Sequence, residues 1–272
     1  MYWLTKFLIL FSTIAVNANC VCNSTIDGSL IYEELACKSV LGSNNCTTSY
    51  NCSNLKAPKK GCLFHRTVYK DGQAINDAHP CKICYCNGTN IVCDPPFCWR
   101  LGPGPVLPGN CYHVIELNRC CLITRCPPYK HTNICVVNNV PHLEGQSFHP
   151  INTCLECVCQ AGFDNKLVAP FCRKMRCDVQ ITYKKEIENS CAPLYDINSN
   201  KLCCPRNFVC QSGSKIQNLV RSKKETGTKC KFGSKWFNKN DAFTLVYKND
   251  GKKRTANCVC SLPPFLTCKG KI

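Results

Sequence analysis

The chain has 272 residues, a formal net charge of +17 and 29 cysteines, about 11% of the sequence and above the roughly 8–10% that marks a disulfide scaffold. Setting the cysteines aside from the 44% hydrophobic residues leaves about a third of the chain. Spread over several small units, that is too little for one large core, so crosslinks rather than an apolar interior are expected to carry stability.

Residues 1–18 read as a secretory signal: Lys6, then an apolar run from Phe7 to Val16, then Val16-Asn17-Ala18 at the cleavage positions. No later stretch approaches the ~18 apolar residues that a membrane helix needs. The mature chain is expected to be secreted and extracellular, without a membrane span and in an oxidising compartment where cysteines pair.

Residues 19–61 form a cysteine-rich N-terminal segment with Cys20, Cys22, Cys37, Cys46 and Cys52, whose pairing the spacing does not decide. Five is odd. With the other 24 paired, one thiol is left over, to join two chains as a disulfide-linked homodimer, to stay reactive, or to pair across a boundary drawn differently.

Two ten-cysteine runs follow. The first is Cys62, Cys81, Cys84, Cys86, Cys93, Cys98, Cys111, Cys120, Cys121 and Cys126; the second is Cys135, Cys154, Cys157, Cys159, Cys172, Cys177, Cys191, Cys203, Cys204 and Cys210. Both read C-x18-C-x2-C-x-C, then C-x4-C, a loop cysteine, a CC pair and a closing cysteine. A Gly-Gln pair sits ten residues after each opening cysteine, at Gly72-Gln73 and Gly145-Gln146. The spacing makes 62–126 and 135–210 two copies of one module. Pro127-Pro128 begins a short, stiff join between them.

The repeat resembles the von Willebrand factor type C module, the chordin-like cysteine-rich repeat. The resemblance rests on Cys81-x2-Cys84-x-Cys86 with Cys120-Cys121, and on Cys154-x2-Cys157-x-Cys159 with Cys203-Cys204. It implies, for each module, a small antiparallel sheet followed by an irregular disulfide-held segment. It also implies the pairs Cys62–Cys86, Cys81–Cys120, Cys84–Cys93, Cys98–Cys121 and Cys111–Cys126. In the second module the implied pairs are Cys135–Cys159, Cys154–Cys203, Cys157–Cys172, Cys177–Cys204 and Cys191–Cys210. The fold class expected is small disulfide-rich modules, mainly β with irregular segments, in a tandem elongated array with little helix.

Residues 211–229 are polar and basic and read as a mobile linker. Beyond them Cys230, Cys258, Cys260 and Cys268 align with the first, third, fourth and fifth module positions, so 230–268 resembles a truncated module, with Cys230–Cys260 and Cys258–Cys268 implied. Trp236-Phe237 and Phe243 to Tyr247 are strand-like, and Asn249-Asp250-Gly251 is a hairpin turn.

Asn23, Asn45, Asn51 and Asn87 are acceptors for surface glycans by their Asn-x-Ser/Thr context. From Gln211 onward there are 14 Lys+Arg and 3 Asp+Glu, hence 14 − 3 = +11. Arg221, Lys223, Lys224, Lys229, Lys231, Lys235, Lys239, Lys252, Lys253 and Arg254 are the candidate contacts to sulfated glycosaminoglycans, the polyanions that a secreted basic tail meets; nucleic acid is not an expected partner. The scattered histidines form no HxxxH pair, and no GxSxG, HExxH or phosphate loop occurs, so no metal, cofactor or enzyme activity is expected.

Serial chordin-like repeats commonly bind growth factors of the bone morphogenetic protein and transforming growth factor type, and the resemblance implies such a partner here. The candidate contacts flank the CxxCxC hairpins: Ile75, Ile83, Tyr85 and Ile91 in the first module, Phe148, Leu155 and Val158 in the second. The alternatives are a secreted host-defence protein, since the C-terminal segment resembles the truncated module found in arthropod immune responses, and a passive matrix or protease-inhibiting protein.

Overall fold

The computed structural model describes residues 28–42, 46–53, 55–56, 58–76, 81–94, 111–117, 119–128, 134–199, 201–223 and 227–271. Residues 1–18, Asn23, Asn45, Cys20, Cys22, Cys98 and Lys224 lie outside them. Among the described residues the protein is mostly small β-sheets with three short helices and many disulfides, and no helix is long and apolar enough to cross a membrane.

The N-terminal segment opens with helix α1 (Ser29–Glu34), then strands β1 (Lys38–Leu41) and β2 (Thr47–Asn51) as an antiparallel hairpin closed by Cys37–Cys52. Six residues are too few for a helix to stand alone in water; packing holds this one. Leu30, Ile31, Tyr32 and Leu35 are buried. Tyr32 stacks on Tyr50 with ring centroids 4.3 Å apart; its hydroxyl donates to the Leu262 carbonyl and accepts from the Phe265 N–H at 3.2 Å. The segment therefore docks on the far end of the chain.

The first cysteine run contains β3 (Cys62–Phe64), β4 (Thr67–Tyr69), β5 (Ile83–Asn87), β6 (Asn90–Asp94), β7 (Tyr112–Val114) and β8 (Ile123–Arg125), paired as three hairpins. Disulfides join Cys62 to Cys86, Cys84 to Cys93, Cys81 to Cys120 and Cys111 to Cys126. The second run contains the hairpin β9 (Ile134–Val137) and β10 (Val140–Leu143), then β11 (Ser147–Phe148), β12 (Leu155–Val158) and β13 (Cys172–Lys174) as a three-stranded sheet. Helices α2 (Val179–Thr182) and α3 (Lys184–Glu188) and strands β14 (Ala192–Asp196) and β15 (Asn207–Val209) complete it. Its disulfides are Cys135–Cys159, Cys154–Cys203, Cys157–Cys172, Cys177–Cys204 and Cys191–Cys210. Cys46 and Cys121 are also disulfide-bonded, so every cysteine among the described residues is paired.

The repeated Gly-Gln pair has one physical role, performed twice. Gly72 and Gly145 take the left-handed backbone at φ 76° and 79°, which suits glycine. Their N–H groups donate to the Cys86 and Cys159 carbonyls at 2.8 Å, and the Cys86 and Cys159 N–H groups donate to the Gln73 and Gln146 carbonyls at 3.0 Å. Each glutamine Oε1 then accepts from the backbone three residues back, Lys70 at 2.9 Å and Leu143 at 3.0 Å. A chain bend is thereby fastened to the CxC strand in both runs.

The C-terminal part supplies β16 (Ser214–Val220), β17 (Lys229–Phe232), β18 (Lys235–Asn238), β19 (Ala242–Asn249), β20 (Lys252–Val259) and β21 (Thr267–Gly270), with Cys230–Cys260 and Cys258–Cys268. Asp250 and Gly251 form the β19–β20 turn at φ 49° and 73°. The order β15-β14-β21-β20-β19-β16 makes one six-stranded sheet from the second run and the C-terminal part, antiparallel except for β14 and β21.

Three expectations are corrected here. Residues 211–229 are not simply a mobile joint: Ser214–Val220 is an edge strand of that sheet, its Ile216 packed on the core. The units are not separate beads either, because α2 and α3 lie against the first run. The His65 N–H donates to Gln180 Oε1 at 3.0 Å, and Lys184 Nζ donates to the Thr89 carbonyl and, at 3.3 Å, to Asn90 Oδ1. Nor do crosslinks alone carry stability. Leu194, Val209, Phe232, Phe237, Phe243, Leu245, Tyr247 and Leu266 form an apolar core with Cys230, Cys258, Cys260 and Cys268. The two halves share it across the β14–β21 ladder, so each supplies a face that neither could bury alone.

Candidate functional site

Two surfaces among the described residues bear on the sites expected from sequence. The first is apolar and lies on the opening hairpin of each cysteine run. In β3–β4, Leu63 is the cross-strand partner of Val68, while Cys62 and Phe64 point inward and are buried. In β9–β10, Ile134 faces Leu143 and Val136 faces Pro141, while Cys135 is buried on the other side. Leu63 and Val136 are each the residue after the opening cysteine. Val68, Ile134 and Leu143 are 58%, 58% and 63% exposed, and Val136 is exposed as well. The alternation of strand side chains produces this division: the disulfide fixes which face goes in, and the next residue must face out.

The contacts expected from sequence fall mostly elsewhere. Ile75 and Ile91 are buried with Cys62, Cys84 and Cys86; Phe148 and Val158 are buried, Phe148 against Cys135, Cys157, Cys159 and Cys172. Ile75, Ile91 and Phe148 cover disulfides, and none of the four is open to a partner, which corrects that assignment. Tyr85 and Leu155 are half-buried, and Ile83 alone of the seven is exposed. Period-two alternation around each opening cysteine points to Leu63 and Val136 instead, and hairpin pairing adds Val68 and Leu143.

The second surface is basic. Of the expected glycosaminoglycan contacts, Lys229, Lys231 and Lys235 lie on the β17–β18 hairpin, with Lys231 Nζ 5.7 Å from the centre of the exposed Trp236 ring. Lys252, Lys253 and Arg254 lie at the β19–β20 tip, in another sheet, so the structure divides the set. Lys223 is exposed. Lys239 Nζ is committed to the Thr48 carbonyl at 2.8 Å. Arg221 is committed to the buried Asp241 at 2.8 Å and lies 5.6 Å from the Phe237 ring centre. Asp241 also accepts from the N–H groups of Ser222 and Asn238, at 2.7 and 2.8 Å. Burial works to raise its carboxyl pKa, but these donors and the guanidinium outweigh it and hold the group below the ordinary carboxylate range. Arg221 is therefore a structural cation.

Of the glycan acceptors, Asn51 and Asn87 are exposed at strand ends, and Asn51 Oδ1 accepts from the Ser53 N–H at 3.1 Å. No group of three or more histidine, cysteine or acidic side chains placed to hold a metal occurs among the described residues.

No family model matches this chain, and no solved structure matches it.

Proposed function

We propose that the protein is a secreted extracellular binding protein that modulates growth-factor signalling of the bone morphogenetic protein or transforming growth factor type, and that its basic C-terminal part binds sulfated glycosaminoglycans. The observation that carries the reading is the pair of opening hairpins, each with an apolar outer face on a backbone pinned by a disulfide. Rigid strands bearing exposed aliphatic side chains lose little freedom on binding, which favours a protein partner. Two such faces on one chain suit a dimeric ligand, where the second contact forms at high effective concentration.

The test is a panel of immobilised dimeric cystine-knot growth factors probed with correctly oxidised full chain. Binding to at least one member, weakened by substitutions on both hairpins, supports the reading. Silence across the panel rejects it.

A further inference from the structure

The outer face of the six-stranded sheet carries a row of lysines that takes only Lys253 from the two basic hairpin clusters and adds four others. Cross-strand partners point the same way. Lys215 partners Val246, Val246 partners Thr255, and Lys248 partners Lys253. Thr244 partners Asn257, and Asn257 partners Lys269. Phe243, Leu245, Tyr247, Ala256 and Cys258 point to the opposite, buried side. Lys253 and Lys269, with Lys271 just past β21, line an open hollow of ≈ 490 Å³ floored by Thr255 and Asn257 and flanked by Ile197.

Three properties of this face point to a ligand. The first is charge: Lys215, Lys248, Lys253, Lys269 and Lys271 all belong to it, and β16, β19, β20 and β21 place no acidic side chain on it. The second is placement: Lys248 lies directly opposite Lys253, an arrangement of like charges that weakens a strand pair and that folding does not require. Local rules broken at the expense of the fold are expected where a site is built. The third is the floor. Thr244, Thr255 and Asn257 offer neutral hydroxyl and amide groups between the ammonium groups, and the five outward cations are all lysine; Arg254, which also borders the hollow, is the cross-strand partner of the buried Tyr247 and shares its side of the sheet. A planar carboxylate is best gripped by the arginine fork, whereas lysine acts as a point charge. Sulfate groups spaced along a hydroxyl-rich chain match that pattern.

We infer that this sheet face, through Lys215, Lys248, Lys253, Lys269 and Lys271, is the binding site for a sulfated glycan chain. The inference rests on the glycosaminoglycan reading above and relocates its site. By strand spacing and rise the five lysines spread over roughly 14 Å in each direction, so the site takes a chain segment rather than a single sulfate.

The experiment uses the oxidised full chain and a heparin-derived oligosaccharide, with two triple variants that remove the same charge. One carries Lys248→Gln, Lys253→Gln and Lys269→Gln; the other carries Lys229→Gln, Lys231→Gln and Lys235→Gln. Because each released contact steepens the salt dependence, the sheet-face triple is expected to raise Kd on the order of 10–100-fold near physiological salt. The hairpin triple is expected to change it by less than about 3-fold by ordinary screening. Restoring charge with Lys→Arg at the same sheet positions should restore binding, which separates lost contact from lost fold. Equal losses in both triples, or loss in the hairpin triple alone, would overturn the placement while leaving glycosaminoglycan binding standing. No heparin binding by the unaltered chain would overturn both. Equally tight binding to polyglutamate or to phosphatidylserine vesicles would overturn the sulfated-glycan class.

Discussion

Leu194 lies beside Cys268 in a parallel ladder, and through this pairing the second cysteine run and the C-terminal segment become one sheet. The relationship explains why Ala192, Leu194 and Val209 are buried although their own module lacks the residues to cover them. A chain ending at Cys210 is expected to lose that cover and to leave β14, still paired with β15, with an open edge where β21 lay. Such a truncation should show reduced amide protection in hydrogen exchange and concentration-dependent association, where a self-sufficient module would stay monomeric and protected.

The same core makes an apolar substitution costly even with the disulfides intact. Phe243 touches Phe232 and Phe237, with ring centroids 6.4 and 4.7 Å away. Phe243→Ala should destabilise the oxidised protein by about 3–5 kcal/mol. Denaturant unfolding without reductant reads this as a lower midpoint at similar slope.

Asp241→Asn tests the buried acceptor of Arg221. Weakening the acceptor of the two N–H groups should cost about 1–3 kcal/mol at neutral pH, the scale for buried donors left poorly satisfied, with little added by the half-exposed guanidinium. The sign follows from the depressed native pKa. Wild-type Asp241 contributes its stability above the ordinary carboxylate value and loses it as pH falls through the lower native value. Thermal melts should show the gap between wild type and variant wide at pH 7 and closing in strong acid.

The two equivalent glycines should respond unequally. At Gly72 an added Cβ meets nothing within 4 Å, so Gly72→Ala should cost only the left-handed backbone penalty, about 1–2 kcal/mol. At Gly145 the same atom would lie 2.4 Å from the Val114 Cβ of the first run. Gly145→Ala should therefore cost at least about twice as much, because overpacking adds about 1–3 kcal/mol. Equal effects in melting temperature would mean that β7 does not press on the second run in solution.

What was legible in the sequence was local. Disulfide-rich β structure with little helix follows from cysteine density and short alternating runs, and the β19–β20 turn follows from Asp250-Gly251, whose residues tolerate positive φ. What was not legible depended on contacts far along the chain. Ser214–Val220 reads as polar linker because an edge strand needs only one apolar contact, from Ile216. The docking of α1 depends on Tyr32 meeting Leu262, which no spacing rule announces. Apolar character and a place beside the CxxCxC hairpins point to Ile75, Phe148 and Val158, whereas burial follows the face each occupies in the folded sheet. Of the sheet-face lysines only Lys253 is legible as part of a basic run; Lys215, Lys248, Lys269 and Lys271 are scattered in sequence and converge only through cross-strand pairing.

The most direct test of the central claim is the affinity of the oxidised chain for a dimeric growth factor from the panel, measured with Val68→Asp, Leu143→Asp and both together. Neither side chain is buried, so folding should be preserved, and the disulfide map can verify it. Each single variant should weaken binding about 10-fold or more, and the double variant should abolish the avidity of the pair. Unchanged affinity in the double variant would contradict that claim, because the ligand would then be held by a surface other than the two hairpins.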